Sequence, residues 1–134
     1  MKKKTEKSCG TIVVNDNYQI LLVKHNKGHY GFPKGHMENK ETEIETAIRE
    51  TKEETNIDVT IDETKRYVIE YDVLPDIKKQ VVYFIGYPNN NNIIPQTKEV
   101  SEVLWVNIDE VSNYLGFPNI IKLWNDTIIN EIKK

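Results

Sequence analysis

At 134 residues and a net charge of −3, the chain is long enough for one domain with a real core, and it lacks the general basic field that would favour nucleic acid or an anionic membrane surface. Its apolar residues alternate with polar ones and never run long enough to cross a bilayer, and the basic start MKKKTEKSCGTIVV contains no apolar segment of signal-peptide length. The expectation is a single cytoplasmic domain over residues 1–134, with residues 1–7 a frayed basic tail.

Cys9 is the only cysteine, which rules out an internal disulfide and a metal site built on thiolates. It reads as a small core residue at the start of a strand. The stretch GTIVVNDNYQILLVKH places two strand-forming runs around Asn15, Asp16 and Asn17 and predicts a hairpin. Tyr30 to His36, with two aromatics, Pro33 and two glycines, predicts a structured loop. From Thr42 to Thr55 nothing breaks a helix. Ile44, Ala47, Ile48 and Thr51 recur at helical spacing as its buried stripe, and Asn56 follows as a left-handed cap. KRYVIEYDV and KKQVVYFIGYP read as two strands joined by a turn at Pro75 and Asp76. NNNNIIPQTKEVSE reads as a polar loop, VLWVNI as a short strand, and Asp109 as the cap of a brief helix. Phe117 to Ile132 forms a last amphipathic helix with Pro118 near its start. Strands interleaved with helices predict an α/β sandwich around a mixed sheet.

The helix crowds glutamate. At about 100° per residue, Glu50 and Glu54 lie about 40° apart, and Glu53 lies about 60° to the other side of Glu50. Like charges at this spacing disfavour a helix by roughly 0.2–0.5 kcal/mol per pair, so the ridge is either fully solvated or covered by a cation. Oxygen ligands suit Mg²⁺ first and Mn²⁺ next. Arg49, at i,i+4 from both Glu45 and Glu53, can hold a carboxylate by bidentate pairing. These residues alone leave the metal ridge and the solvated face about equally supported.

The stretch GHMENKETEIETAIRETKEETNI resembles the Nudix box, G-x5-E-x7-R-E-U-x-E-E-x-G-U, in which U is apolar. Gly35, Glu41, Arg49, Glu50, Glu53, Glu54 and Ile57 fall in register, while Thr51 replaces an apolar residue and Asn56 replaces a glycine. The resemblance implies a Nudix-type α/β/α sandwich that hydrolyses a nucleoside diphosphate linked to another group, using divalent metal. It implies Glu50, Glu54 and Glu53 as metal ligands, with the Gly35 carbonyl completing the shell. Glu50 is favoured as general base, with Glu53 as the alternative water-orienting group. Arg49 completes the catalytic set and, with Glu41, stabilises the loop-helix-loop. Glu99 lies where relatives often supply one more carboxylate; by composition it reads equally well as a surface residue.

YGFPKGHMENKETEIETAIRETKEE further resembles the asymmetrical diadenosine tetraphosphate hydrolases. That resemblance implies Lys34 and His36 as polyphosphate contacts, Lys79 as a further phosphate contact, and Tyr71 and Tyr83 as adenine or ribose contacts. Strand tyrosines more often pack in a core. His25 and His29 flank the same loop and read as surface residues. The expected activity is cleavage of diadenosine tetraphosphate to ATP and AMP by a monomer whose partner is a small nucleotide, with no membrane and no general nucleic-acid binding. The alternatives are another Nudix activity, on 5′-triphosphate RNA ends or damaged nucleoside triphosphates, and a Nudix module that senses a nucleotide without cleaving it.

Overall fold

The computed structural model describes residues 4–95 and 100–134. The strands are β1 (Lys4–Val13), β2 (Gln19–His25), β3 (Tyr30–Gly31), β4 (Lys34–His36), β5 (Val59–Leu74), β6 (Ile77–Pro88) and β7 (Val100–Asn107). The long helix α1 (Glu43–Thr55) lies between β4 and β5. After β7 come a 3₁₀ turn (Ile108–Glu110), α2 (Val111–Tyr114), α3 (Pro118–Leu123), a wider-wound stretch (Trp124–Ile128) and α4 (Ile129–Lys133). No helix among the described residues is long and apolar enough to cross a membrane.

The strands form two sheets, ordered β4-β1-β6-β5 and β3-β2-β7. Among the described strands only β1 and β6 pair in parallel, which makes the first sheet mixed and demands a long crossover; α1 lies within it. Alternation along β1 and β6 gives that sheet two apolar faces. Cys9, Val82 and Phe84 pack with Ala47 under α1. Ile12, Val81, Tyr83 and Ile85 pack with Phe32, Trp124 and Ile128 on the other side. The strand β2 divides in the same way: Ile20 and Leu22 join the Trp124 cluster, and Leu21 and Val23 join Val13, Ile57 and Val103. Helices therefore cover sheet faces on both sides, and the expected α/β/α sandwich is present.

The structure corrects several local expectations. Lys4 to Lys7 are not frayed, because they pair with Ile77 to Gln80 at the start of β1. The Asn15–Asn17 turn is present, with the Asn15 side chain accepting from the amides of Asn17 and Gln19 at 3.0 and 2.9 Å. Its two strands then part into different sheets and share only the Val14–Ile20 bridge. The loop from Tyr30 to His36 contains β3 and β4. Ile48 is 37% exposed, and the buried stripe of α1 instead runs through Ala47, Thr51 and Thr55. Small threonines suffice there because the Thr51 hydroxyl lies 2.6 Å from that of Thr11 on β1. Ser101 and Glu102 belong to β7, not to a loop. Asn107, not Asp109, caps the 3₁₀ turn, its side chain accepting from the Asp109 amide. The Pro75–Asp76 turn falls between β5 and β6 as expected, and Cys9 is buried, its thiol pushed up to about 11 chiefly by that burial.

Candidate functional site

Two glycines set the geometry. A Cβ on Gly10 would lie 2.1 Å from the Pro33 carbonyl oxygen, so the bare backbone of β1 is what lets the chain cross at Pro33 and Lys34. The Thr11 amide donates to that carbonyl at 3.1 Å and fixes β4 beside β1. A Cβ on Gly35 would lie 1.5 Å from a Glu50 carboxylate oxygen, so that carboxylate occupies the space a side chain would fill. The helix itself starts on a capping box. The Glu45 amide donates to the Thr42 hydroxyl at 3.1 Å and the Thr42 amide to the Glu45 carboxylate at 2.9 Å. Glu45 is therefore used by the cap and not by Arg49.

Arg49 organises the acidic ridge. It grips Glu41 bidentately, Nε to Oε2 at 2.6 Å and Nη2 to Oε1 at 3.0 Å. Nη2 also donates to the His36 carbonyl at 3.0 Å, tying β4 to the helix. Nη1 donates to Glu50 at 2.9 Å and Glu53 at 3.1 Å. Hydrogen bonds from Arg49 and from the Glu38 amide hold the Glu41 carboxyl at about 2. Burial pushes Glu50 the other way, up to about 7, with Glu53 adding to the rise and Arg49 opposing it. Glu54 is 8% exposed on the adjoining turn.

The donors suit a divalent cation in kind. Glu50, Glu53, Glu54 and the Gly35 carbonyl offer only hard oxygens, and Gly35 lets its backbone and the Glu50 carboxylate approach closely. Among the described residues no three acidic or imidazole side chains are yet gathered round one point. Arg49 takes Glu50 and Glu53 on one nitrogen. To share an ion, those two carboxylates would turn away from the guanidinium.

Next to the ridge lies a cavity of about 580 Å³. Lys34, Tyr71 and Tyr83 line it, together with Phe32. The structure thus brings three of the sequence-predicted substrate residues to one place. Lys34 links cavity and ridge: burial lowers its pKa, the charge of Lys79 lowers it further, and Glu54 and Glu50 oppose both. Lys79 therefore sits close to Lys34, on the β6 face shared with Val81 and Tyr83. Burial, then Tyr71 and Glu54, raise the ionisation of the Tyr83 hydroxyl well above its usual range. The side chain of His36 is outside this lining; His36 is exposed, and its contribution to the ridge is its carbonyl. Glu99 lies outside the described residues.

Sequence reasoning missed the far wall. The rings of His25 and His29 are 4.7 Å apart, and His29 meets Phe117 edge-on at 5.4 Å. All three line the cavity. Read singly, each is an ordinary surface residue. Only the close packing of Gly116 on His29, where a Cβ would come within 3.3 Å, gives a local signal, and one sequence does not reveal it.

A family model described as the NUDIX domain matches residues 4–125. The chain belongs to the Nudix family. It is accordingly a hydrolase acting on phosphoanhydride bonds, in a family that generally uses divalent metal ions. No curated protein sequence matches this Nudix hydrolase. Among solved structures it is similar to an Ap4A hydrolase binary complex from C. elegans, with a TM-score of 0.82 and 24% identity over 96% of this chain and 99% of that one. It is also similar to a MutT protein from Methanosarcina mazei Go1, with a TM-score of 0.81 and 19% identity over 100% and 99%. A Nudix hydrolase from Nitrosomonas europaea gives 0.76 and 26% identity over 96% and 74%. At these identities the first two likenesses are likenesses of fold.

Proposed function

We propose that this Nudix hydrolase cleaves diadenosine tetraphosphate asymmetrically into ATP and AMP. One observation carries the reading: Lys34 lines an aromatic cavity of nucleoside size while lying within the electrostatic reach of Glu50 and Glu54. A substrate with a base in the cavity would place its phosphates across Lys34 onto the ridge. Tyr71 and Tyr83 would hold the adenosine, and Lys34 and Lys79 would neutralise phosphate oxygens as point charges. His36, on the same side of β4 as Lys34, would lend a further donor. Glu50 is our assignment for the group that takes the proton of the attacking water, on position: its carboxylate rests against Gly35, the residue after Lys34. Glu53 would orient that water. Arg49 and Glu41 hold the ridge in place. Glu50, Glu53, Glu54 and the Gly35 carbonyl, with Glu99 as a further carboxylate, are the residues that would hold a divalent cation, Mg²⁺ or Mn²⁺, whose chemistry there is charge neutralisation and acidification of water.

The test is hydrolysis of diadenosine tetraphosphate by the purified protein in ¹⁸O-labelled water, with and without Mg²⁺ and with the products separated. ATP and AMP in equal amounts, with Mg²⁺ required, are expected, and the label identifies the phosphorus attacked. The fold is nearly as close to the MutT protein, so nucleoside triphosphates and 5′-triphosphate RNA are run beside the dinucleotide. Preferential cleavage of either sinks the dinucleotide reading, and saturable binding without turnover of any of them would make the chain a sensor. Sedimentation of the same preparation tests the monomer, and cell fractionation tests the cytoplasmic location.

A further inference from the structure

Ser8 stands within β1 at 1% exposure, and its hydroxyl oxygen has no hydrogen-bond partner among the described residues. Its neighbour Cys9 packs with Ala47 and Phe84 beneath α1. Alternation therefore turns Ser8 to the opposite face of the sheet, the one that carries Val81 and Tyr83. In register it lies between His36 on β4 and Val81 on β6. Lys34 stands two residues before His36 and Lys79 two before Val81, so the hydroxyl has a lysine on each diagonal. Lys78, on the other face of β6, pairs with Glu70; among the described residues no ion pair holds Lys34 or Lys79. Glu6 is the carboxylate nearest in register, beside Lys79.

A buried hydroxyl without a partner costs stability, and alanine at this position would remove the cost with no loss of packing. Two ammonium groups on one face, neither in an ion pair among the described residues, add like-charge repulsion, which Glu54 and Glu50 oppose at Lys34. One kind of ligand satisfies all three groups: an anion with several acceptor oxygens. We infer that Ser8 donates its hydroxyl to a phosphate oxygen of the substrate and, with Lys34 and Lys79, forms a polyphosphate subsite on the cavity side of β4, distinct from the carboxylates of α1. This rests on the polyphosphate reading above. The long stems of Lys34 and Lys79 let their ammonium groups reach a bound phosphate from either side of Ser8.

Inorganic tripolyphosphate is the probe, titrated calorimetrically into wild type, Ser8→Ala and Lys34→Ala without divalent metal, with thermal unfolding of each free protein measured alongside. Ser8→Ala is expected to bind about tenfold more weakly, about 1.4 kcal/mol, while unfolding at the same or a higher temperature. A merely structural serine would move the unfolding temperature and leave binding alone. Ser8→Cys, which keeps the shape with a weaker donor, should fall between the two, and it carries the comparison if Ser8→Ala fails to fold. Unchanged tripolyphosphate affinity in the serine variants, or no binding by wild type, overturns the subsite. Binding that depends on Ser8 in a protein that leaves diadenosine tetraphosphate intact would uphold the subsite and overturn the dinucleotide reading.

Discussion

At Gly35 a single hydrogen atom decides where the Glu50 carboxylate can rest. Alanine there would bring its Cβ to 1.5 Å from the Glu50 carboxylate, and because that carboxylate ends a flexible side chain, it and not the backbone would give way. Gly35→Ala is therefore expected to leave the helical circular dichroism unchanged and to lower kcat on the order of a hundredfold, the loss that a misplacement of about 1 Å brings. A normal kcat in the Gly35→Ala variant would show that Glu50 acts from elsewhere. Asn56 offers the opposite case. It replaces the glycine of the box, and its φ of 69° is left-handed. Its side chain offsets that strain by donating to the Asn92 carbonyl at 2.9 Å. Asn56→Gly should be neutral within about 0.5 kcal/mol in urea unfolding, and Asn56→Ala should cost about 1 kcal/mol, since alanine has neither the freedom nor the hydrogen bond. Both residues are readable from the sequence because the box fixes them by spacing within one continuous segment.

The first turn of α1 is held to the sheet by charge. Arg66 on β5 donates to both carboxylate oxygens of Glu43, each at 2.8 Å, and Lys7 on β1 pairs with the same group. Arg66, then Lys7, hold the Glu43 carboxyl at about 2, below its ordinary 4.5. A depressed carboxyl pKa stabilises the fold fully above pH 4.5, and the contribution is lost as pH falls from there through about 2. With Arg66 largely in solvent, Glu43→Gln should cost about 1 kcal/mol near pH 7, and the gap between variant and wild type should close between about pH 5 and pH 2. A gap that stays constant over this range in urea unfolding would remove the ion pair as its cause. This contact also shows where element reading from sequence stops. The helix and its acidic face follow from local spacing, but which side is buried follows from the partner strand. Thr51 packs inward because Thr11 lies opposite, and Ile48 is 37% exposed. The short strands β3 and β4, of two and three residues, carry too little pattern to be seen, and they exist because β2 and β1 offer them edges.

Across the whole molecule, the cavity is the upper surface of the core. Its residues come from β2, β3, β4, β5, β6, the connections that carry His29 and Phe32, and the segment from Leu115 to Ile120, so only the topology assembles it, and no stretch of sequence announces it. Phe32 is the shared piece. It is fully buried, lines the cavity, meets Tyr83 edge-on at 5.5 Å and lies 5.8 Å from Trp124 in the core below. A change at Phe32 is therefore expected to act on stability and, under the proposed function, on substrate binding together. Phe32→Leu keeps an apolar side chain but loses the ring contacts, which should cost about 1–3 kcal/mol. If the Tyr83 ring needs that contact to hold a base, KM should rise about tenfold with kcat little changed, the signature of lost uniform binding. Val103→Ala supplies the control. It takes stability from the cluster of Val13 and Leu21, away from the cavity lining, and should leave KM where it was. A rise in KM for both variants would trace the effect to general loosening, and no rise in Phe32→Leu would remove the Phe32–Tyr83 wall from the binding site.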